Sequence, residues 1–227
     1  MISLKRDRVV VVSPCCFFQA GIWTLLTTHS LSRVWHCQKI AEAQRYLAAQ
    51  PVDMVVMSLH IGQQADLLLA LRFIQQVRLS FPGVVLMVTL DVPIPYLVTR
   101  LCRLGVRHIL RLGQPLGLWQ AQLRQMLLGE GSRVGSDLPG CDEETLSMAE
   151  RQVVEYLIQG KTLAEIAALT SRSIKTISTQ KGQAMHKLGI RHYAQLIAVQ
   201  SIFVDSWLSH DRRSVAGGAT PRLWYYW

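Results

Sequence analysis

The fold of this chain is decided by residues 53–90, which read DMVVMSLHIGQQADLLLALRFIQQVRLSFPGVVLMVTL. Two short apolar runs, at 53–59 and 84–90, flank a longer stretch of helical pattern at about 65–80. A strand, a helix and a second strand in this order predict a crossover unit with parallel strands. The runs are continuously apolar, which indicates strands that are buried on both faces of the sheet.

The same alternation continues outward from this unit in both directions. Strand and helix alternate five times, which predicts an α/β doubly wound parallel sheet with helices on both faces. The further strands are predicted at 8–13, 33–37 and 106–111, and the further helices at about 18–29, 39–49, 94–104 and 115–129.

The pattern changes after residue 128, which divides the chain. Residues 129–145 collect Gly, Ser, Pro and acidic residues without an apolar period, and we interpret them as a linker. From 146 to 205 helical periodicity replaces the strand signal. Residues 206–227 form a tail that we expect to be flexible. The sequence therefore predicts an α/β domain at 1–128 and an all-α domain at 146–205.

Composition limits the classes of protein. Of 227 residues, 50% are hydrophobic and 17% are charged, which excludes a broadly disordered chain. The net charge of +9 favours a polyanionic partner, either nucleic acid or an anionic membrane. No apolar run approaches the ~18 residues of a spanning helix, and Pro14 ends the first run too early for a signal peptide. We expect a cytoplasmic, nucleoid-associated protein with no membrane partner.

The five cysteines match no zinc-binding spacing. We interpret them as buried small hydrophobic residues in a reducing compartment, with a thiol redox switch as the alternative. No metal and no cofactor is expected.

Residues 146–190 carry the strongest functional signal. Ser147 with Glu150, and Thr162 with Glu165, have the spacing of capping boxes that begin two helices. In the second helix, Ile166, Ala167 and Leu169 are expected to face inward. A polar turn then leads to a third helix at about 174–188, closed by Gly189. Two short helices joined by a tight turn predict a helix-turn-helix.

Helical geometry separates the third helix into two faces. At ~100° per residue, one face is apolar and suits packing, while the other is small, polar and basic and suits a major groove. The apolar face has Ile177, Ala184 and Leu188, and the polar face has Lys175, Ser178, Thr179, Gly182 and His186.

The segment resembles the LuxR/NarL-type helix-turn-helix, in its RcsB-like form. The matching stretches are LSMAERQVV, Gly160, Glu165-Ile166-Ala167, Lys175-Thr176-Ile177 and Lys187-Leu188-Gly189-Ile190. The resemblance implies that the third helix enters the major groove and that a fourth helix, 191–205, supports dimer contacts. We expect DNA contacts from Lys175, Thr176, Ser178, Thr179, Gln180, Lys181 and Gly182, and phosphate neutralisation by Lys187, Arg172 and Lys161.

The α/β domain resembles a response-regulator receiver of flavodoxin-like fold that has lost its phosphorylation chemistry. The family's acidic pair falls at Ser13 and Pro14, its phosphate-accepting aspartate at Ser58, and its lysine at Leu112; its hydroxyl position is kept by Thr89. Mg²⁺ requires hard oxygen ligands, and a phosphoryl acceptor here must be a carboxylate. Aspartyl phosphorylation is therefore not expected. Asp53 lies at the wrong end of its strand, and Asp91 can at most border the pocket.

These features predict a sequence-specific DNA-binding transcription regulator that is not an enzyme. It would bind double-stranded DNA as a homodimer, or as a heterodimer with an RcsB-like response regulator, as auxiliary regulators of the RcsA and BglJ kind do. One alternative is an adaptor that sequesters a response regulator without binding DNA. Another is a hydrolase or redox enzyme that uses Cys15 or Cys16 with a histidine, although no catalytic motif accompanies them.

Overall fold

A computed structural model describes residues 7–27, 33–61, 64–128 and 146–203. Its sheet has five parallel strands in the order β2-β1-β3-β4-β5, which confirms the doubly wound α/β fold. The strands are β1 (Arg8–Val12), β2 (Arg33–Cys37), β3 (Met54–Leu59), β4 (Val85–Leu90) and β5 (His108–Arg111). The helices around them are α1 (Cys16–Thr27), α2 (Ile40–Ala49), α3 (Gln64–Ser80), α4 (Pro95–Arg103) and α5 (Leu116–Leu128).

The sheet is buried on both faces, as its continuous apolar runs predict. Every residue of β3 is buried. Because side chains alternate along a strand, Val10 and Val12 pack with α2, α3 and α4, whereas Val9 and Val11 pack with α1 and α5. Because all five strands are parallel, their carboxyl ends lie at one edge of the sheet, where the functional groups of such sheets lie.

The opposite edge of the sheet is held by Asp53. Its carboxylate accepts hydrogen bonds from the Arg8 guanidinium at 2.7 and 2.9 Å and from the Arg8 backbone N–H at 3.1 Å. The Arg8 hydrogen bond holds the pKa of Asp53 below its usual value. Asp53 therefore joins the start of β1 to the start of β3, at the edge of the sheet opposite the carboxyl ends of the strands.

The C-terminal part is helical, as predicted. Its helices are α6 (Met148–Ile158), α7 (Leu163–Thr170), α8 (Ile174–Lys187) and α9 (Tyr193–Ala198). The Ser147 and Thr162 hydroxyls each accept a hydrogen bond from the backbone N–H of the glutamate three residues on, which confirms both capping boxes. Gly189 ends α8 at φ +63°, a conformation that favours glycine.

Two predictions about these helices need correction. The fourth helix was predicted as one element at 191–205, but α9 ends at Ala198 and helical structure resumes only at 200–203, after a turn. Leu169 was predicted to face inward, but 58% of it is exposed because it lies on the outer side of α7. The predicted linker, 129–145, and the tail, 206–227, lie outside the described residues, so the domain boundaries remain predictions.

The two parts of the chain touch at the start of α4. The rings of Tyr96 and Phe203 stack with centroids 4.3 Å apart. A side chain at Gly189 would collide with Pro95, which shows how closely the end of α8 approaches α4. The contact continues the apolar core of the sheet into that of the helical part.

Candidate functional site

The apolar face of α8 is held inside the helical part. Ile177 and Ala184 are fully buried and Leu188 is nearly so, where they pack with residues of α6 and α7. Burial of a side chain of the size of Ile177 contributes ~1.5–3 kcal/mol of favourable free energy. This confirms the predicted inward face and fixes the rotation of α8 about its axis.

The opposite face of α8 is open to solvent and consists of small polar groups. Ser173 caps the helix, because its hydroxyl accepts a hydrogen bond from the Thr176 N–H at 3.0 Å. The Thr179 hydroxyl donates to the Lys175 carbonyl at 3.0 Å, which leaves the methyl group and the acceptor lone pairs outward. The exposed members are Lys175, Thr176, Ser178, Thr179, Gly182 and His186.

Gly182 makes this face flat at its centre. No atom lies within 4 Å of the position that a Cβ would take there, and the helix has ordinary backbone angles at this residue. The glycine is therefore not required by the fold of the described residues. Its effect is to let a neighbouring molecule approach the helix backbone closely.

The predicted cations occupy three different environments. Lys175, Lys161 and Arg172 are exposed, and Arg172 donates a 3.3 Å hydrogen bond to the half-buried Gln180. The Lys181 ammonium lies 5.9 Å from the centre of the Tyr193 ring, within the range of a cation–π contact. Lys181 thus combines a position near the exposed face with a contact to α9.

Lys187 differs from the sequence-based expectation. Its ammonium donates a 3.0 Å hydrogen bond to Glu150, a carboxylate with only 4% of its residue surface exposed. This ion pair neutralises the charge of Lys187 within the domain and leaves it less available to phosphates than the exposed cations. The pair joins the end of α8 to the start of α6, so Lys187 contributes to the fold of the helix-turn-helix.

Glu150 is an organising residue that the sequence revealed only as a helix cap. Burial would raise the pKa of its carboxyl, but hydrogen bonds from Ser147 and Lys187 outweigh that effect and hold the pKa below its ordinary value. A second such residue is Tyr193, whose hydroxyl donates to the Leu157 carbonyl at 2.7 Å. Lys187 is more than 30 residues from Glu150, and Leu157 is more than 30 residues from Tyr193. Local spacing therefore does not predict either contact.

The positions that the receiver resemblance singled out lie at the carboxyl edge of the sheet. Ser58 donates a 2.6 Å hydrogen bond to Ser13 across the adjacent ends of β3 and β1, and both residues are buried. Thr89 is fully buried at the end of β4, whereas Pro14 is exposed. Two neutral hydroxyl groups, those of Ser13 and Ser58, therefore lie side by side at this edge.

Asp91 lies at the rim of this edge and already has partners. Its carboxylate accepts hydrogen bonds from the Ile61 N–H at 3.3 Å and the Val92 N–H at 2.7 Å, and it lies 3.8 Å from His60. In the described part of the chain, no three His, Cys, Asp or Glu side chains are grouped so that they could hold a metal ion. Asp91 therefore acts as a loop-closing residue.

The cysteines that the structure describes are free thiols. Cys37 is buried, and this burial raises its pKa to about 11, which suppresses the reactive thiolate. Burial also raises the pKa of Cys102. Cys16 is exposed, and Cys15 and Cys102 are half-buried, so among the described cysteines the prediction of burial is confirmed for Cys37 and is wrong for the other three. Within the described ranges, no helix is both long and apolar enough to cross a membrane.

Comparison with known proteins bears directly on the helical part. Residues 144–200 match the model of the bacterial regulatory proteins of the luxR family. This segment of the chain is similar to the LuxR-family domain. RcsB of Escherichia coli K12, a transcriptional regulatory protein, is 41% identical over 58 residues, which cover 26% of this chain and 27% of RcsB.

A second relative shares the LuxR-family domain in another setting. The cyclic di-GMP phosphodiesterase PdeL of the same organism is 43% identical over 61 residues, which cover 27% of this chain and 16% of PdeL. This chain therefore spans about a quarter or less of the length of these curated relatives. The similarity in both cases is confined to the length of one domain.

Solved structures extend the similarity to the whole described fold. An RcsB chain from a structure of two RcsB dimers bound to two parallel DNAs matches with a TM-score of 0.74 and 22% identity, covering 87% of this chain and 98% of that one. A second RcsB–DNA complex matches with a TM-score of 0.73 and 22% identity, covering 89% and 99%. The chain thus shares the RcsB fold, an α/β receiver-like sheet followed by the LuxR-family domain.

Proposed function

We propose that this protein is a sequence-specific, double-stranded DNA-binding transcription regulator. The observation that carries the proposal is the outer face of α8, which is hydroxyl-rich, carries Lys175 and is open to solvent while Ile177 and Ala184 hold its inner face. A helix of this kind fits the major groove, where hydroxyl, amide and basic side chains meet base edges and phosphates. The described similarity to RcsB structures that contain DNA supports this proposal.

We assign the DNA contacts to the side chains that are exposed on and around α8. Ser178, Thr179 and Gly182 lie at the centre of the open face and approach base edges. The exposed cations Lys175, Lys161 and Arg172 contact phosphates, as Lys181 does after exchanging its contact with Tyr193. Lys187 is the weakest phosphate candidate because Glu150 already neutralises it.

A single lysine substitution tests this assignment. Duplexes selected by the full-length protein from a random pool supply the probe, and fluorescence anisotropy gives the affinity across a salt series. Lys175→Ala is expected to weaken binding and to reduce the slope of log K against log salt by about one unit, because one phosphate contact is lost.

The matched control is Arg45→Ala, which removes one exposed positive charge from α2, remote in sequence from α8. It is expected to leave the salt slope unchanged. Equal slopes for Lys175→Ala and the parent protein, or selection of no duplex at all, would contradict the proposal and favour the adaptor that binds no DNA.

We further propose that regulation does not use aspartyl phosphorylation. Ser13 and Ser58 lack the carboxylates that would hold Mg²⁺ and accept a phosphoryl group, and they are committed to each other by a 2.6 Å hydrogen bond. Incubation with acetyl phosphate and Mg²⁺ is expected to add no phosphate mass to the intact protein. An acid-labile phosphate adduct on the α/β part, as an aspartyl phosphate would be, would contradict this.

The third part of the proposal is dimeric action, alone or with an RcsB-like regulator. Large apolar side chains are exposed on α1 and α5, which share one face of the sheet and meet through Phe18 and Trp119. They are Phe17, Trp23, Leu116 and Leu118. Native mass spectrometry of the protein, with and without RcsB, distinguishes a homodimer from a heterodimer. A monomer in both samples would contradict dimeric action.

A further inference from the structure

A cavity of about 550 Å³ opens at the carboxyl edge of the sheet, beside the ends of β1 and β3. The start of α2 and the first half of α3 form its other walls. Its interior is mainly apolar, with Val12, Met57, Leu67 and Ala70 among the lining residues. The hydrogen-bonded pair of Ser13 and Ser58 also lines it.

The position of the cavity in the sheet favours a ligand site. In a sheet of order β2-β1-β3-β4-β5, the direction of the connections reverses between β1 and β3. Ligands of open α/β sheets bind outside the carboxyl ends of the strands at this reversal. The volume lies in the range of roughly 300–1,000 Å³ that is typical of small-molecule sites, which are mostly apolar with a few polar groups.

The charges around the cavity indicate the sign of the ligand. Lys39, which precedes the first residue of α2, is exposed and is one of the residues that line the cavity. The nearby Glu42 carboxylate accepts hydrogen bonds from the Gln38 and Lys39 backbone N–H groups. Since Ser13 and Ser58 are uncharged, the acidic cluster that would repel an anion in a receiver pocket is replaced here by neutral hydroxyl groups.

We propose that this cavity binds a small amphipathic carboxylic acid. The carboxylate pairs with the Lys39 ammonium at the mouth, and the hydrocarbon body packs among Met57, Leu67 and Ala70. Burial of the hydrocarbon supplies most of the binding free energy, and the ion pair selects the acid over a neutral analogue. Such binding stabilises the folded protein in proportion to ligand saturation.

Octanoate is the probe, and the full-length protein labelled with ¹⁵N is the sample. Titration is expected to shift the amide resonances of Ser13, Ile40, Ser58 and Ala70 together, and to raise the thermal midpoint of unfolding. Shifts that are absent, or that cluster elsewhere on the protein, would overturn the proposal. The experiment contains no DNA, so its outcome is independent of the DNA-binding proposal.

Two variants, one at the residue before α2 and one within α2, separate specific from general charge effects. Lys39→Ala is expected to weaken octanoate binding about fivefold while leaving 1-octanol binding unchanged, because an exposed ion pair is lost. Arg45→Ala removes an equal, exposed charge outside the cavity and is expected to change neither affinity. Equal effects of the two variants on octanoate would overturn the assignment of the carboxylate to Lys39.

Discussion

At the scale of single residues, one glycine in α8 is not explained by the stability of the fold. Gly182 lies in the interior of α8, where glycine destabilises a helix by ~1 kcal/mol relative to alanine. The space around it is open, so packing within the described residues does not demand a glycine. The proposed approach of DNA to this face supplies a reason, since a side chain there would stand between the helix backbone and the groove.

We expect Gly182→Ala to raise the free energy of unfolding by ~0.5–1 kcal/mol and to lower the affinity for selected duplex DNA. Gly21→Ala is the matched control, because Gly21 is also exposed inside a helix with no atom near its Cβ position. It should give the same stabilisation, measured by urea unfolding, and so calibrates the intrinsic effect of replacing an exposed helical glycine by alanine. A gain in both stability and affinity for Gly182→Ala would refute the assigned role.

At the scale of the elements, the helix-turn-helix is held together by an apolar face and by one buried ion pair. Ile177 and Ala184 set which face of α8 is outside, while Glu150 and Lys187 fix its end against the start of α6. Removing one member of such a pair leaves a buried charge or an unpaired donor, which is more destabilising than the net value of the pair suggests.

This arrangement predicts a pH dependence of stability. The folded-state pKa of Glu150 is lower than its ordinary value of 4.5, so its contribution to stability is present above pH 4.5. The contribution is lost as the pH falls through the lowered folded-state pKa. We expect the free energy of unfolding, from urea titrations across this range, to fall on acidification.

Glu150→Gln should lower stability by ~1–3 kcal/mol at neutral pH and make its acid dependence shallower. Glu165→Gln is the comparison, because Glu165 occupies the equivalent capping position of α7 but is exposed. If Glu150→Gln unfolds at the same urea concentration as the parent protein at neutral pH, the ion pair does not organise these helices.

At the scale of the whole molecule, the α/β part and the LuxR-family domain share an apolar contact. Tyr96 at the start of α4 stacks on Phe203, and Pro95 abuts Gly189 at the end of α8. The end of the proposed DNA-binding helix therefore rests on the α/β part. A change in the position of α4 would therefore displace the end of α8 directly.

Tyr96→Ala is expected to increase the radius of gyration in small-angle X-ray scattering, because the stacked pair that joins the two parts is removed. Its free-energy contribution is ~0.5–1.5 kcal/mol beyond simple burial. Tyr46→Ala serves as control, since Tyr46 contacts Trp35 within the α/β part. An unchanged scattering profile for Tyr96→Ala would show that the stack does not hold the two parts together.

Local sequence patterns predict the order of strands and helices, both capping boxes and the two faces of α8. Each of these depends on spacings of a few residues, such as Ser147 to Glu150, and local periodicity reports which side of an element is apolar. The absence of carboxylates at Ser13 and Ser58, where the resemblance to a receiver leads one to expect them, is a prediction from residue identity alone.

Which of those groups have partners depends on how distant elements pack together. Ser13 meets Ser58 across 45 residues and Glu150 meets Lys187 across 37, at distances set by how whole elements pack. The same packing left Leu169 exposed and opened the cavity beside Lys39. Periodicity gives the direction of a side chain about its own helix or strand, whereas its neighbours are fixed by the positions of the other elements.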